Sequence, residues 1–326
     1  MSGAPANVLI SSAGRRVALL NAFKRSARAL SSDIRVLACD ASPLSAALQH
    51  ADEGMVVPRC TDPAFVPAVL EFCQRESIGL IIPTIDTELP VYASAADRFA
   101  TAGVTVAISS SDAVAIGGDK ARTHEWLTSH SFPTVRQWAV PLPADAGVAY
   151  PVLAKPVFGS ASLGIRRISS QQELRELDPA VPYILQEIAV GREHTVDVFV
   201  ANGRALAAVP RERFEVRAGE ISKGATRRHA ALESLAVQIS EALPGAFGVL
   251  NIQVFVAPDN RMNVIEINAR FGGGFPLSYQ AGADYPRWLM EHVFGYPSTA
   301  RNEWTSDLVM LRFDEAVFVP ETGLRR

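Results

Sequence analysis

Asn251-Ile252-Gln253-Val254-Phe255, followed across a turn by Val264-Ile265-Glu266-Ile267-Asn268-Ala269-Arg270, is the stretch on which the reading of this chain turns. Strand alternation puts Asn251, Gln253 and Phe255 on one face of the first segment, and Glu266, Asn268 and Arg270 on one face of the second. A solvated sheet face would explain polar residues alone. It explains less well amides and a carboxylate paired over this distance, with Gly272-Gly273-Gly274 directly after them. A carboxylate and carboxamide oxygens suit hard Mg²⁺ when nucleotide phosphates fill its remaining positions, and Arg270 then faces the same charge.

Upstream segments offer partners for such phosphates. Lys155 ends the apolar strand VLAKPV, and the small-residue loop Phe158-Gly159-Ser160-Ala161-Ser162-Leu163-Gly164 follows. Backbone N–H groups of that loop can close on phosphate oxygens beside a fixed ammonium. A plain hairpin with a snorkelling lysine is the alternative. Further on, Leu185-Gln186-Glu187-Ile188 leads through Gly191 to Glu193. An edge strand with exposed amides can read an adenine rim, and a carboxylate past a glycine turn can accept ribose hydroxyls.

From Tyr150 onward the chain alternates long strands with hairpin turns such as Ala201-Asn202-Gly203-Arg204, and helices at 171–176, 230–242 and 285–294 pack on them, an α+β arrangement. The first 110 or so residues differ. NVLIS, IRVLACD, GLIIPTI and GVTVAIS alternate with helical patterns near 16–29 and over PAFVPAVLEFCQR, which predicts a parallel Rossmann-like α/β sheet covered on both faces. The break at Ile116-Gly117-Gly118-Asp119 places the boundary near Gly117, giving domains 1–117 and 118–326. Residues of about 126–188 read as a lid, because a loop closing over phosphates must open for exchange.

Composition narrows the function classes. The 326 residues carry 31 Lys plus Arg against 34 Asp plus Glu, a net charge of −3, so no basic surplus points to nucleic acid or an anionic membrane. No uncharged run reads as a membrane span and the N-terminus shows no signal-peptide pattern, so the expected location is cytoplasmic. Cys39, Cys60 and Cys73 lack zinc-site spacing and read as buried free thiols. Ser11-Ser12-Ala13-Gly14 has one glycine where a dinucleotide fingerprint needs three, and no P-loop, GxSxG or HExxH is present. That turn is either a helix cap or an anion site helped by Arg15 or Arg16.

Taken together, Lys120 after Gly118-Asp119, Lys155 with its small-residue loop, Gln186-Glu187 with Gly191-x-Glu193, and the NIQ…EINAR pair resemble the ATP-grasp superfamily. The likeness is to the carbamoyl phosphate synthetase large-chain type, including stand-alone proteins of that kind, and more distantly to the pyrrolysine-biosynthesis ligase. It covers nearly the whole chain, with the first domain resembling the one that precedes the grasp. The resemblance implies ATP as cosubstrate, held by Lys120 and Lys155 and by the loop with Gly159, Ser160, Ser162 and Gly164. It implies an adenine rim at Gln186, Glu187 and Ile188 and a ribose contact at Glu193. Gln253, Glu266 and Asn268 would hold two Mg²⁺, or Mn²⁺ in their place, with Glu266 bridging, and Arg270 would steady the transferring phosphoryl group. Many members have two or three carboxylates in the metal set where this chain has one; the synthetase type also uses glutamine and asparagine there.

Two further segments are candidates for the acceptor. In Arg211-Glu212-Arg213-Phe214-Glu215-Val216-Arg217, alternation puts Arg211, Arg213, Glu215 and Arg217 on one face, as a surface ion-pair ladder or as a substrate-carboxylate and electrophile site with Lys223 on a flexible turn beyond. In Pro83-Thr84-Ile85-Asp86-Thr87-Glu88, after a buried strand, Asp86 and Glu88 would hold a substrate amine or cap the next helix. The expected activity is an ADP-forming carboxylate–amine ligase making an amide through an acyl phosphate, with an amino acid as a candidate substrate. Arg270, Lys223 and Arg217 are its candidate catalytic residues, and Arg15, Asp86, Glu88 and Arg213 its substrate residues. The alternatives are phosphoryl chemistry on bicarbonate or carbamate and a nucleotide-binding regulatory module. The carbamoyl phosphate reaction uses two sets of grasp motifs in the large chain, and this chain has one. Expected partners are small-molecule carboxylates and amines, not nucleic acid or membrane, with a homodimer allowed.

Overall fold

The computed structural model describes residues 6–142, 146–159, 163–217 and 219–325. The first domain runs β1 (Asn7–Ile10), α1 (Val17–Leu30), β2 (Val36–Asp40), α2 (Ala46–His50), β3 (Gly54–Val56), α3 (Phe65–Arg75), β4 (Ile78–Ile82), α4 (Leu89–Thr101), β5 (Thr105–Val106) and α5 (Ser111–Gly118). Its sheet is parallel, in the order β3-β2-β1-β4-β5. Alternation explains why the strands are apolar throughout: Val8 and Ile10 pack on the α1 side with Leu20 and Phe23, and Leu9 on the other side with Phe65, Phe72, Tyr92 and Phe99. The chain leaves in opposite directions from β1 and β4, so a crevice opens beyond their C-terminal ends. Loops 11–16 and 83–88 both end there.

The second domain runs α6 (Lys120–Ser129), β6 (Gln137–Ala139), β7 (Val152–Pro156), β8 (Arg166–Ile168), α7 (Gln171–Arg175), β9 (Tyr183–Glu187), β10 (Arg192–Ala201), β11 (Arg204–Arg217), β12 (Glu220–Thr226), α8 (Ala230–Ala242), β13 (Gly248–Val256), β14 (Met262–Asn268), α9 (Phe275–Gln280), α10 (Tyr285–Phe294) and β15 (Val309–Leu311). It holds two antiparallel sheets, a large one in the order β14-β13-β10-β11-β12-β15 and a small one in the order β6-β9-β7-β8. The small sheet has its own core around Val152, Ala154, Ile168 and Leu185. Helix α6 precedes it, and Leu127 packs instead in the core of the large sheet.

One face of the large sheet, with Val196, Val198, Ile252, Val254 and Ile267, is covered by α8. On the other face, Phe199, Phe271, Phe275, Tyr285 and Trp288 share a continuous apolar cluster with Phe23 of α1 and Ile10 of β1. The two domains are therefore joined by a common core, and the crevice of the first faces the polar end of the large sheet.

Three local expectations are corrected. The segment Ile116-Gly117-Gly118 is the end of α5, which contributes Ala113 to the second-domain core and Val114 to the first. Residues 220–224 form the start of β12 rather than a flexible turn, because they pair with both β11 and β15. Register shifts after Arg213 and Glu215 break the even alternation expected through Arg217.

Candidate active site

A cleft of about 500 Å³ lies between the loops of the first domain and the large sheet. Arg16 and residues 84–87 line one wall, and Glu193, Thr195, Arg211, Arg213, Asn251, Gln253, Glu266, Asn268 and Arg270 line the other. Its floor is the β13–β14 pair, in which Gln253 stands opposite Glu266 and Asn251 opposite Asn268. Leu250, Ile252, Val254 and Ile267 alternate away into the core.

The floor's polar groups orient one another. Asn268 Nδ2 donates to Glu266 Oε1 at 3.0 Å, Arg270 Nη2 donates to Asn268 Oδ1 at 3.3 Å, and Asn251 Nδ2 donates to the Arg270 carbonyl at 3.1 Å. The glycine run after Arg270 makes room for three polar side chains. A Cβ would meet Asn251 Oδ1 at 1.7 Å from Gly272, the Glu220 carboxyl carbon at 2.3 Å from Gly273 and Arg211 Nη1 at 1.9 Å from Gly274. Among the described residues no group of three His, Cys, Asp or Glu side chains gathers into a charged metal cage. The donor set of Glu266 with two amide oxygens fits a hard cation that brings phosphate oxygens with it.

Lys155 approaches the floor from the small sheet. It is 8% exposed, and its ammonium donates to Gln186 Oε1 at 2.5 Å. Burial brings its pKa down to about 8, with Lys120 adding to that and Glu266 and Glu193 opposing it. Lys120 Nζ donates to the Gly159 carbonyl at 2.7 Å, tying the N-terminus of α6 to the small-residue loop; Ser160 and Ser162 lie outside the described residues. Gly164 ends that loop at φ +74°, and Gly191 turns the chain into β10 at φ +119°. A Cβ on Gly191 would lie 2.2 Å from the Val256 carbonyl, which leaves glycine as the residue that fits.

β9 is not an edge strand, which corrects the expectation for the adenine rim. It lies between β6 and β7, so Gln186 pairs on both sides, and the Glu187 N–H is taken by the Arg136 carbonyl. Ile188 is the first residue past the ladder. Glu193 is ion-paired with Arg213, and burial still raises its pKa. Arg213 also reaches Gln253 Oε1 at 3.4 Å and the Gly219 carbonyl at 3.2 Å, while its buried Nε has no acceptor among the described residues. Across the cleft, Asp86 takes two hydrogen bonds from Arg270, at 2.6 and 2.7 Å.

Known proteins bear on this geometry. Residues 8–107 match the family described as PylC-like, N-terminal domain, and residues 180–316 match the one described as ATP-grasp in the biosynthetic pathway with Ter operon. The chain is an ATP-grasp superfamily protein. Over 174 residues it is 30% identical to the multifunctional protein ura1 of Schizosaccharomyces pombe, a match spanning 46% of this chain and 7% of that protein. This is its distant similarity to the carbamoyl phosphate synthetase large chain. Three solved structures share the fold at low identity. Biotin carboxylase from Campylobacter jejuni, in a β-γ-ATP complex, is 16% identical with a TM-score of 0.73, covering 93% of this chain and 74% of that one. The biotin carboxylase domain of 2-oxoglutarate carboxylase from Hydrogenobacter thermophilus, with MgADP, ADP and bicarbonate, is 18% identical with a TM-score of 0.72, covering 91% and 71%. L-amino acid ligase from Bacillus licheniformis is 17% identical with a TM-score of 0.68, covering 90% and 75%. A parallel α/β domain followed by an antiparallel ATP-grasp is thus the architecture of this chain.

Several residues expected at the acceptor end of the ATP-grasp cleft stand elsewhere. Glu88 is fully buried and faces inward: its carboxylate accepts from the Ser11 and Ser12 hydroxyls at 2.7 Å each and from the Thr84 and Ile85 N–H groups at 2.5 and 3.2 Å. It therefore ties loop 11–16 to loop 83–88 rather than holding an amine, and burial raises its pKa. Arg15 is exposed, and Arg16 is the arginine that lines the cleft. Past the β11 bulges, Val216 lines the cleft and Arg217 is exposed outside it. Lys223 is a half-exposed strand residue paired with Glu215 at 2.7 Å, so neither it nor Arg217 joins Arg270. Cys39 and Cys73 are buried free thiols, whereas Cys60 is partly exposed. No helix among the described residues is long and apolar enough to cross a membrane.

Glu220, which lines the cleft, and Arg312, which pairs with it, carry no signal of their own in the sequence. Arg211, on the face expected as an ion-pair ladder or a substrate-carboxylate site, is buried against Asp197, with two hydrogen bonds of 2.7 Å, and borders the cleft. The glycine run was the available signal, since each glycine marks one of the polar side chains pressed against it.

Proposed function

We propose that this chain is an ADP-forming carboxylate–amine ligase working through an acyl phosphate. The observation that carries the reading is that Glu266, the carboxylate of the floor, is hydrogen-bonded through Asn268 to Arg270, at 3.0 and 3.3 Å, and has the buried Lys155 ammonium of the small sheet near enough for their charges to act on each other. Cations on two sides of a metal-type carboxylate suit a triphosphate lying between them.

In this reading Lys120, Lys155 and the loop around Gly159 and Gly164 hold the phosphates. Gln186 keeps the Lys155 ammonium aimed, the backbone at Glu187 and Ile188 borders the adenine, and Glu193 takes the ribose. Gln253, Glu266 and Asn268 would hold two Mg²⁺ or Mn²⁺, which supply neutralisation of the triphosphate charge when bound. An oxygen of the acid's carboxylate attacks the γ-phosphorus, the bond to the ADP oxygen breaks, and Arg270 steadies the phosphoryl group in transit. The amine then attacks the acyl carbon, phosphate leaves with the bonding pair, and the nitrogen loses a proton. No side chain becomes a covalent nucleophile. Domains 1–117 and 118–326 form the two walls, and residues of about 126–188 act as the lid.

The test is ADP release with paired panels of acids and amines, bicarbonate included among the acids. Release that needs both an acid and an amine, with ¹⁸O carried from the acid into phosphate, supports the reading. Release with bicarbonate alone would move the chain to carboxyphosphate chemistry, and nucleotide binding without release would make it a regulatory module.

A further inference from the structure

Beyond Arg270, at the first-domain end of the cleft, three guanidiniums surround two carboxylates. Arg16, on the turn after β1, pairs with one oxygen of Glu220 at 3.3 Å, and Arg312, just past β15, pairs with the other at 3.0 Å. Arg270 holds Asp86. The groups act as one cluster: the Arg16 pKa is lowered chiefly by burial and also by Arg270 and Arg312, against the pull of Glu220 and Asp86. Arg270 interacts with Glu266 as well as with Asp86 and Glu220, so it stands between this cluster and the metal-type floor.

Two features show that the cluster is incomplete. Around Asp86 and Glu220 its charges are three positive and two negative, with Arg270 shared toward Glu266 of the floor, while the neighbouring Arg211 and Arg213 are already answered by Asp197 and Glu193. The Arg16 side chain is 21% exposed, yet its guanidinium makes no hydrogen bond among the described residues, only the 3.3 Å ion pair. A guanidinium carries five donors, and since none of those of Arg16 is buried without a partner among the described residues, the ones not turned to Glu220 are open to the cleft that Arg16 lines. A planar oxyanion matches that fork. Glu220 lies flat against Gly273, where a Cβ would come within 2.6 Å of both carboxylate oxygens, so it occupies the margin of the cluster and leaves the cleft side of Arg16 open.

We propose that Arg16 is the receptor for a non-reacting carboxylate of the substrate, bound beside Glu220 and Arg312. The cleft then takes either an amino acid as the amine, held by its own carboxylate, or an acid with a second carboxylate. This rests on the ligase reading, in which the reacting groups meet on the Glu266 side of Arg270.

The experiment is calorimetry of the full chain with ADP and Mg²⁺ saturating, after nucleotide binding has been measured by itself. L-alanine and L-glutamate probe the amino-acid arm and succinate the dicarboxylate arm, each against its amide. At least one acid should bind, and its amide should not. Arg16→Ala should weaken that acid by about tenfold or more with the ADP affinity held, because a charged bidentate contact is lost. Glu220→Gln should tighten it severalfold, since the cluster then carries one more uncompensated positive charge; a merely structural role would not produce this opposite sign. Should Arg16→Ala fail to fold, Arg312→Gln serves in its place, weakening the acid by leaving Arg16 to Glu220. Acids and amides binding alike, no acid binding to the nucleotide-loaded protein, or Glu220→Gln failing to tighten would each overturn the assignment. A protein that binds no nucleotide would instead overturn the ligase reading.

Discussion

Asp86 and Arg270 are joined by two hydrogen bonds of 2.6 and 2.7 Å although 184 residues separate them. The pair connects the loop after β4 to the end of β14, and so fixes the guanidinium expected to steady the phosphoryl group against the opposite wall. Glu88 extends this support, because its buried carboxylate holds the Thr84 and Ile85 N–H groups from which Asp86 projects.

Asp86→Ala should therefore act as the loss of a positioning group. Turnover should fall by about a hundredfold, the scale on which a displaced catalytic group lowers rate, while ATP affinity stays nearly unchanged. Arg217→Ala, at an exposed site outside the cleft, should leave both constants near wild type. Steady-state kinetics beside nucleotide calorimetry check the pair; loss of ATP affinity in Asp86→Ala would place Asp86 in the nucleotide site instead.

Metal binding should be conditional on nucleotide. One carboxylate with amide oxygens cannot neutralise two divalent ions unaided, so Mg²⁺ should bind tightly only with ATP or ADP. Calorimetric titration of Mg²⁺ into the apoprotein should give little heat, and a tight site there would refute the donor set. Glu266→Ala should abolish ADP release with the circular dichroism spectrum retained.

The sequence shows the floor of this cleft because β13 and β14 obey strand alternation against a core that admits no polar side chain. Asn251, Gln253, Glu266 and Asn268 must then share a face, and they do. The parallel sheet was legible for the same reason, in runs such as Ile78–Ile82 buried on both sides. What was not legible depends on long-range company. The bulges after Arg213 turn Arg217 away from the cleft, and β12 is held as a strand between β11 and β15, the second of which lies some ninety residues later. Glu88 looks like any acid near a helix start until Ser11 and Ser12 are placed beside it. Arg15 and Arg16 are told apart by how the turn after β1 is wound, which adjacent positions in a sequence do not reveal.

Nucleotide should order the small sheet. Its core is the least extensive of the four apolar clusters, and the Lys120–Gly159 hydrogen bond links its loop to α6. Phosphates bridging Lys155, Lys120 and that loop would add contacts that the core lacks. Hydrogen exchange at 157–159 and 163–165 should slow on adding ATP with Mg²⁺, and equal protection in both states would argue against a lid.

The buried pair beneath the cleft should govern stability. Asp197 is fully buried and takes hydrogen bonds from Arg211 and from Ser278. Asp197→Ala leaves the Arg211 guanidinium buried without its counter-charge, which typically costs about 3–5 kcal/mol. The urea midpoint should fall accordingly, and Asp197→Leu combined with Arg211→Met should recover much of the loss.

Lys155 gives nucleotide binding a pH dependence of predictable sign. Burial holds its pKa at about 8, below the 10.5 of a solvated lysine, so at neutral pH the ammonium is charged in a site that disfavours the charge. Between pH 8 and 10.5 the unfolded chain holds the proton that the folded protein has released, and this residue's contribution to stability rises with pH over that window. Phosphate binding runs the other way, because it requires the ammonium. ATP affinity should fall as pH rises through about 8, by roughly tenfold between pH 7 and 9, as the protonated fraction drops. Lys155→Met should bind ATP more weakly at pH 7 and show little change up to pH 9. A wild-type affinity that is flat over this range would mean that Lys155 does not touch the phosphates.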